Sequence, residues 1–211
     1  MSSQIIRFLQ QESARLQKEN QALQNQIKIR HNYIDIMAKL YWTAQQMTDA
    51  EEPLDLFSQC LYDTIEAIGA TDGSLSCLDP STDELVFVIV HGRLQKSLPG
   101  RRIKNDVGVT GWVMENNRVV VVNEPRQDWR FSGEVDDQFS FLTRSIICAP
   151  VLREDEPIGV VQLLNKEPSK FNETDSVVLT ILCNLAATVL EKTEPIQLIE
   201  HDVQRPPIAL L

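Results

Sequence analysis

The residues of this chain able to do more than pack are four cysteines, three histidines, an adjacent pair of aspartates and one well-placed lysine. Cys60, Cys77, Cys148 and Cys183 are candidate nucleophiles, redox thiols or zinc ligands, but they are widely separated. Each sits inside an apolar run, the pattern of buried free thiols. His31, His91 and His201 stand apart from one another and from the cysteines, so no zinc-ligand spacing arises. Asp136 and Asp137 offer the two carboxylates that acid–base chemistry needs, yet such a pair in a polar loop is ordinarily solvated or capping. The chain has no nucleophile elbow, no phosphate-cradling glycine loop followed by lysine, and no metal-ligand cluster, so an enzyme is not expected. One spacing is favourable. Lys166 ends an expected strand and Asp175 opens an expected helix, where an ion pair pins helix to sheet with about 0.5 to 3 kcal/mol, depending on how dry it is.

These residues depend on the elements that hold them. From Met1 to Glu52 there is neither glycine nor proline, and Gln, Glu, Lys and Arg abound, which predicts one long helix. Leu9, Leu16 and Leu23 repeat every seven residues, with Ile6, Ile27 and Ile34 at the partner position, so residues 1–40 read as a coiled-coil dimerisation helix. Placing the leucines at d puts Ser13 and Asn20 at a, and a buried Asn there favours a parallel dimer in register. Arg30 interrupts the seam. Beyond it Ile29, Tyr33, Ile36, Leu40 and Met47 suggest that the stripe shifts phase on meeting a globular body. That body is expected over residues 41–193. Pro53 starts an amphipathic helix carrying Leu54, Phe57, Leu61, Ile65 and Ile68, and Gly69 stops it. SLSCLD and LVFVIV form a hairpin, GVTGWVMENN a short helix, and RVVVVN a strand buried on both faces. EPRQDWRFSGEVDDQFSF reads as a long loop with a helical turn. SIICAPVLREDEPIGVVQLLNK is a second hairpin turning at Arg153 to Pro157. A helix capped by Asn172, with Asp175 at its third position, closes the body. In the tail, residues 194–211, Pro195 and the Pro206-Pro207 pair forbid further helix, and Ile208 to Leu211 reads either as disordered extension or as a docking peptide.

The balance of charge excludes other classes. With 20 Lys+Arg against 30 Asp+Glu, a net charge of −10 and pI ≈ 4.8, the chain repels nucleic acid. No stretch approaches the ~20 apolar residues of a membrane span, and the N-terminus lacks a signal-peptide core, so a cytoplasmic location is expected.

Order of elements and three segments together resemble a GAF domain, the small-molecule sensor module of cyclic-nucleotide phosphodiesterases and bacterial adenylyl cyclases. The segments are GVTGWV at 108–113, DWRFSGEVDDQFSFLTRSIICAPV at 128–151 and IGVVQLLNK at 158–166. The family's Asn-Lys, Phe, Asp signature reads as Asn165, Lys166, Phe171 and Asp175, with Ser176 in place of the following acid. The resemblance implies an α+β fold: a central antiparallel sheet of about six strands with helices packed against it. It further implies a pocket in which Ser74 and Thr143 hold a purine, Asp136 lies near the base, and backbone N–H groups of Val109 and Thr110 face a cyclic phosphate. Gln162 falls on the strand lining that pocket. Val90-His91 stands where an aromatic and an acid usually frame the base, and Phe139 replaces a hydroxyl residue, either stacking on a ring or filling the cavity. No cysteine in the long loop is placed for a bilin, and His91 is the sole axial candidate for a haem. No resident cofactor is implied; cyclic AMP or cyclic GMP is the expected ligand.

Two functions follow. One is a regulatory, homodimeric sensor of a purine cyclic nucleotide that relays binding to an output protein. The other is a ligand-free scaffold for dimerisation and protein–protein interaction, which wins if Phe139, Trp112 and Trp129 fill the pocket.

Overall fold

The computed structural model describes residues 2–47 and 53–193. Two helices come first, α1 (Ser2–Met47) and α2 (Pro53–Ile68). Strands β1 (Asp72–Asp79), β2 (Glu84–His91) and β3 (Arg102–Lys104) lead to α3 (Gly108–Asn116) and β4 (Val120–Val122). A 3-10 turn (Pro125–Gln127) and α4 (Glu134–Phe139) then precede β5 (Ile146–Arg153), β6 (Glu156–Leu164) and α5 (Glu173–Lys192). The strands form one sheet in the order β3-β2-β1-β6-β5-β4, and every neighbouring pair is antiparallel. This is the expected α+β architecture.

Both expected hairpins are present, and their turns have local causes. Asp79 accepts from the Ser81 N–H and hydroxyl and from Arg102. These bonds hold its carboxyl far below the usual range, the Ser81 hydroxyl contributing most. Between β5 and β6, Glu154 and Asp155 have φ of 48° and 71°. Two successive left-handed residues match the twist of the strands they join. β3 and the preceding residues 92–101 were not anticipated; only the four-residue spacing of Leu94 and Leu98 hinted at structure there.

Alternation along the strands divides the interior. Leu75, Cys77, Ile147, Ala149, Val151, Val161 and Leu163 face a helical layer made by α2, α5 and the last turns of α1. The intervening Ile146, Cys148 and Val160 face α3. The cavity described below lies on that second side. β4 is an edge strand, yet it is covered on both faces: Val120 and Val122 pack with α3, Val119 and Val121 with the helical layer. α5 carries an 18-residue window of mean hydropathy 1.4. Contrary to expectation, one stretch therefore has the length and apolarity of a membrane span, and its place is in the core, where Leu179, Leu182, Ala186 and Val189 are fully buried.

In α1 the residues that meet the body are the phase-shifted Tyr33, Ile36 and Leu40 of the sequence reading, without Ile29. Tyr33, Ile36, Leu40 and Ala44 pack on the domain, Ile36 and Leu40 being 2% and 1% exposed. Ile29 is exposed. The heptad positions Ile34, Met37 and Tyr41 remain exposed like Leu9, Leu16 and Leu23, and only the next one, Ala44, reaches the body. One helix thus carries two stripes, offset by a single residue and so by about 100° around its axis. The side chain of Met47, residues 48–52 and the proline-bearing tail lie outside the described residues.

All four cysteines are buried and free. Burial pushes the Cys77 thiol up to about 12 and also raises Cys60, Cys148 and Cys183. Thiols of the unfolded chain ionise near 9 and those of the folded chain resist, so the contribution is complete below about pH 9 and is lost as pH rises toward 12. For Cys77 stability is expected to fall by roughly 1 kcal/mol per pH unit in that window, and the other three thiols act in the same direction. Urea titrations at pH 8 and pH 11 under reducing conditions measure it, and a flat profile refutes the argument.

Candidate functional site

A cavity of about 100 Å³ opens on the side of the sheet opposite the helical layer. Its floor is strand: Phe87 of β2, Ile146 of β5, and Gln162 and Leu164 of β6. Leu94, Leu98 and Ile103 make one wall, and the start of α3, Val107 to Thr110, makes another. The roof is the 124–142 segment and the residue after it, contributing Phe131, Ser132, Glu134, Val135, Asp136, Phe141 and Thr143. Val109, Thr110, Asp136, Thr143 and Gln162 therefore converge on one space. Ser74 does not line the cavity; it sits beside Gln162 on the neighbouring strand β1, its hydroxyl accepting from Gln162 Nε2 at 3.0 Å.

Other expected residues are elsewhere. Phe139 does not line the cavity; it packs beside Phe87, Leu94, Leu98 and Phe141. Neither does Trp112, whose ring lies under the Arg130 guanidinium at 4.8 Å, nor Trp129, which is 85% exposed. The aromatics that do enter are Phe87, Phe131 and Phe141. His91 is turned to α2, where its Nε2 lies 2.9 Å from the Ser58 carbonyl and 3.0 Å from the hydroxyl. It is thus far from an axial role. Among the described residues no group of three or more His, Cys, Asp or Glu is arranged for a metal ion.

The start of α3 is built for an anion in one respect: its N-cap, Val107, provides no side-chain hydrogen bond. The first-turn N–H groups lack a side-chain acceptor there, and they carry the positive end of the helix dipole. Gly111 lets the helix begin this close to its own approach, because a Cβ on it would lie 2.3 Å from the Asp106 carbonyl carbon.

Asp136 is buried, and its acceptor positions are occupied. One oxygen takes Arg126 Nη2 at 2.6 Å and the Thr143 N–H at 2.9 Å; the other takes the Thr143 hydroxyl at 2.7 Å. Sequence reasoning placed this carboxylate against a ligand base. In the folded chain it closes the roof, tying α4 to the segment entering β5. Arg126 also lies over the Phe131 ring at 5.2 Å, so one guanidinium braces two parts of the roof.

The signature residues gather at the far end of β6. Asn165 has φ 58°, a left-handed conformation that asparagine tolerates. Its side chain accepts from the Arg144 N–H at 2.7 Å and donates to the Leu142 carbonyl at 3.1 Å. Phe171 is buried, its backbone gripped in both directions by Asn123. Asn172 caps α5, and Asp175 returns the bond to the Asn172 N–H, completing a capping box. Lys166 Nζ donates to both oxygens of Asp175 at 2.9 and 2.7 Å, the two side chains being 4% and 0% exposed. A partner from α1 was not foreseen. The Tyr33 hydroxyl donates to Asp175 Oδ1 at 2.5 Å. Burial and then that bond raise Tyr33 well above its ordinary value.

Sheet order, a roofed cavity beside a short helix, and the Asn-Lys, Phe, Asp corner together define a small α+β domain with a cavity on the side of the sheet opposite its helical layer. The model of the GAF domain family matches residues 50–191, and the chain belongs to that family. Over 111 residues it is 29% identical to a probable 3′,5′-cyclic phosphodiesterase of Caenorhabditis elegans, covering 51% of this chain and 15% of that protein. Over 85 residues it is 38% identical to a dual 3′,5′-cyclic-AMP and -GMP phosphodiesterase of Takifugu rubripes, covering 37% and 9%. The chain thus spans a small fraction of these relatives. Among solved structures, the GAF domain of an Acinetobacter phosphoenolpyruvate-protein phosphotransferase superposes with a TM-score of 0.62 at 18% identity, covering 81% of this chain and 98% of that one. A free methionine-R-sulfoxide reductase from Neisseria meningitidis in complex with its substrate gives 0.62 at 22% identity, covering 77% and 90%. At these identities the superpositions establish the fold.

Proposed function

We propose that this domain is a non-catalytic regulatory sensor whose roofed cavity takes a purine cyclic nucleotide, cyclic AMP or cyclic GMP, and that it works as a parallel homodimer through α1, relaying occupancy to a partner protein. The observation that carries the reading is the convergence of Val109, Thr110, Asp136, Thr143 and Gln162 on one cavity beside a helix start that lacks a side-chain cap. The cyclic phosphodiesterases among the relatives support the choice of ligand. A cavity of about 100 Å³ is below the ~300–1,000 Å³ of sites holding drug-sized ligands, so the roof lifts to admit a nucleotide and settles over it. Asp136→Ala removes the roof's fastening and leaves the Thr143 N–H and hydroxyl unpaired, a cost of about 1–3 kcal/mol. It is expected to weaken binding in calorimetry while the far-ultraviolet spectrum is unchanged.

The exposed heptad positions support the dimer. Left unpaired, Leu9, Leu16, Leu23, Ile27 and Ile34 present a stripe of the kind that seeks a partner, with Asn20 at an a position between them. Light scattering of the full chain is expected to give twice the monomer mass at micromolar concentration, and deletion of residues 1–30 to lower it. A monomeric full chain refutes the seam.

The second reading, a ligand-free scaffold, draws on the small cavity and on the engaged carboxylate of Asp136. Calorimetry with both cyclic nucleotides to millimolar concentration separates the two, together with mass spectrometry of whatever the denatured protein releases. Silence in both establishes the scaffold.

A further inference from the structure

A series of hydrogen bonds, joined through the backbone at residues 142–144 and 165–166, runs from the cavity roof to the N-terminal helix. The Thr143 N–H and hydroxyl hold Asp136 in the roof. Its neighbours Leu142 and Arg144 are clasped by the Asn165 side chain. The Asn165 N–H reaches the Ser145 carbonyl at 2.9 Å, and the Lys166 N–H reaches the Ser145 hydroxyl at 3.1 Å. Lys166 Nζ then binds Asp175, whose Oδ1 accepts from Tyr33 of α1; Nζ also lies 3.3 Å from the Tyr33 oxygen. Every link is between groups wholly or partly withdrawn from water, where loss of one partner leaves the next unsatisfied. α1 is otherwise held by packing, with Tyr33 and Ala44 also lying against the helical layer. Ile36 and Leu40 supply its buried apolar contacts, and the Lys39–Asp63 pair is exposed at its Lys39 end.

We propose that Tyr33 is a latch through which the state of the cavity roof sets how firmly α1 is held on the domain. When the roof lifts, residues 142–145 shift, the seat of Lys166 and Asp175 relaxes, and the Tyr33 bond weakens. The helix that carries the heptad seam then gains freedom to rotate or tilt. This rests on the sensor reading for the event that lifts the roof, but the coupling itself is a property of the chain and is testable without ligand.

The test is a two-by-two cycle read by amide hydrogen exchange of the full chain, comparing residues 33–44 with the centres of β1 and β5. Tyr33→Phe keeps the ring and removes the hydroxyl alone. It is expected to speed exchange of residues 33–44 about tenfold and to leave the sheet unchanged. Asp136→Asn, which weakens the roof's fastening, is expected to speed the same helix amides severalfold despite its distance from them. Combined with Tyr33→Phe it adds nothing further, because the latch is already open. Thr143→Val serves as the roof variant if Asp136→Asn does not fold. The proposal is overturned if Tyr33→Phe leaves the helix protected, or if the roof variant acts equally in both backgrounds. Failure of cyclic AMP and cyclic GMP to bind would end the sensor reading and leave the outcome of this cycle as it stands.

Discussion

Lys166→Ala is expected to destabilise the domain by about 3–5 kcal/mol and to lower Tm by roughly 10 °C or more. Asp175 is wholly buried, and without the ammonium it becomes an uncompensated charge, served only by the Asn172 N–H and the Tyr33 hydroxyl. This exceeds the about 0.5 to 3 kcal/mol that the sequence reading allowed for the pair, since the pair proves as dry as a core residue and its loss strands a buried charge. Asp175→Ala is expected to cost a similar amount, because it strands the Lys166 ammonium and dissolves the capping box. The double variant costs less than the sum, since neither charge is then left alone. Urea unfolding followed by circular dichroism gives all four corners of the cycle. Strict additivity would mean that the two side chains do not interact.

Gly111→Ala is expected to cost about 2–3 kcal/mol and to abolish any ligand binding. The new Cβ falls 2.3 Å from the carbonyl carbon and 2.8 Å from the oxygen of Asp106, both backbone atoms that no rotamer change can clear. Relief requires moving Asp106 and Val107, and hence the start of α3. The Gly111 N–H would then lose the Val107 carbonyl it reaches at 3.1 Å, and the wall formed by Val107 to Thr110 would be displaced. Gly133→Ala is the control. Its Cβ meets the far end of the long Arg126 side chain at 3.1 Å, which needs to give by no more than a few tenths of an ångström, and a loss below about 1 kcal/mol is expected. Equal effects at the two positions would show that close backbone approach at Gly111 is not what the fold requires.

Much of this molecule was legible because it rests on local rules. The Pro53 start and Gly69 stop bound α2 correctly; apolar runs set off by turn residues found β1, β2, β4, β5 and β6; and Asn172 with Asp175 announced the capped start of α5. The Lys166–Asp175 pair belongs here too, for a strand end and the helix that follows it are close along the chain. The site residues came from resemblance to a family, because neither period nor composition marks a cavity wall.

What the sequence determined by itself is the kind and order of the elements and the contacts made between neighbours along the chain. Tertiary structure decided which faces meet. Phe87, Leu94, Leu98 and Phe141 form part of the cavity because strand β2, the unanticipated 92–101 segment and the roof converge from distant parts of the sequence. Asp136 spends its charge on Arg126 and Thr143, a choice fixed by how the roof folds back on itself. α1 presents Tyr33, Ile36 and Leu40 to the domain and Ile34, Met37 and Tyr41 to the outside; periodicity marked the shift of phase, and only the docked helix shows that both stripes persist side by side. Tyr33 and Asp175 are 142 residues apart, and only the docking of the first helix against the last could bring that hydroxyl to that carboxylate.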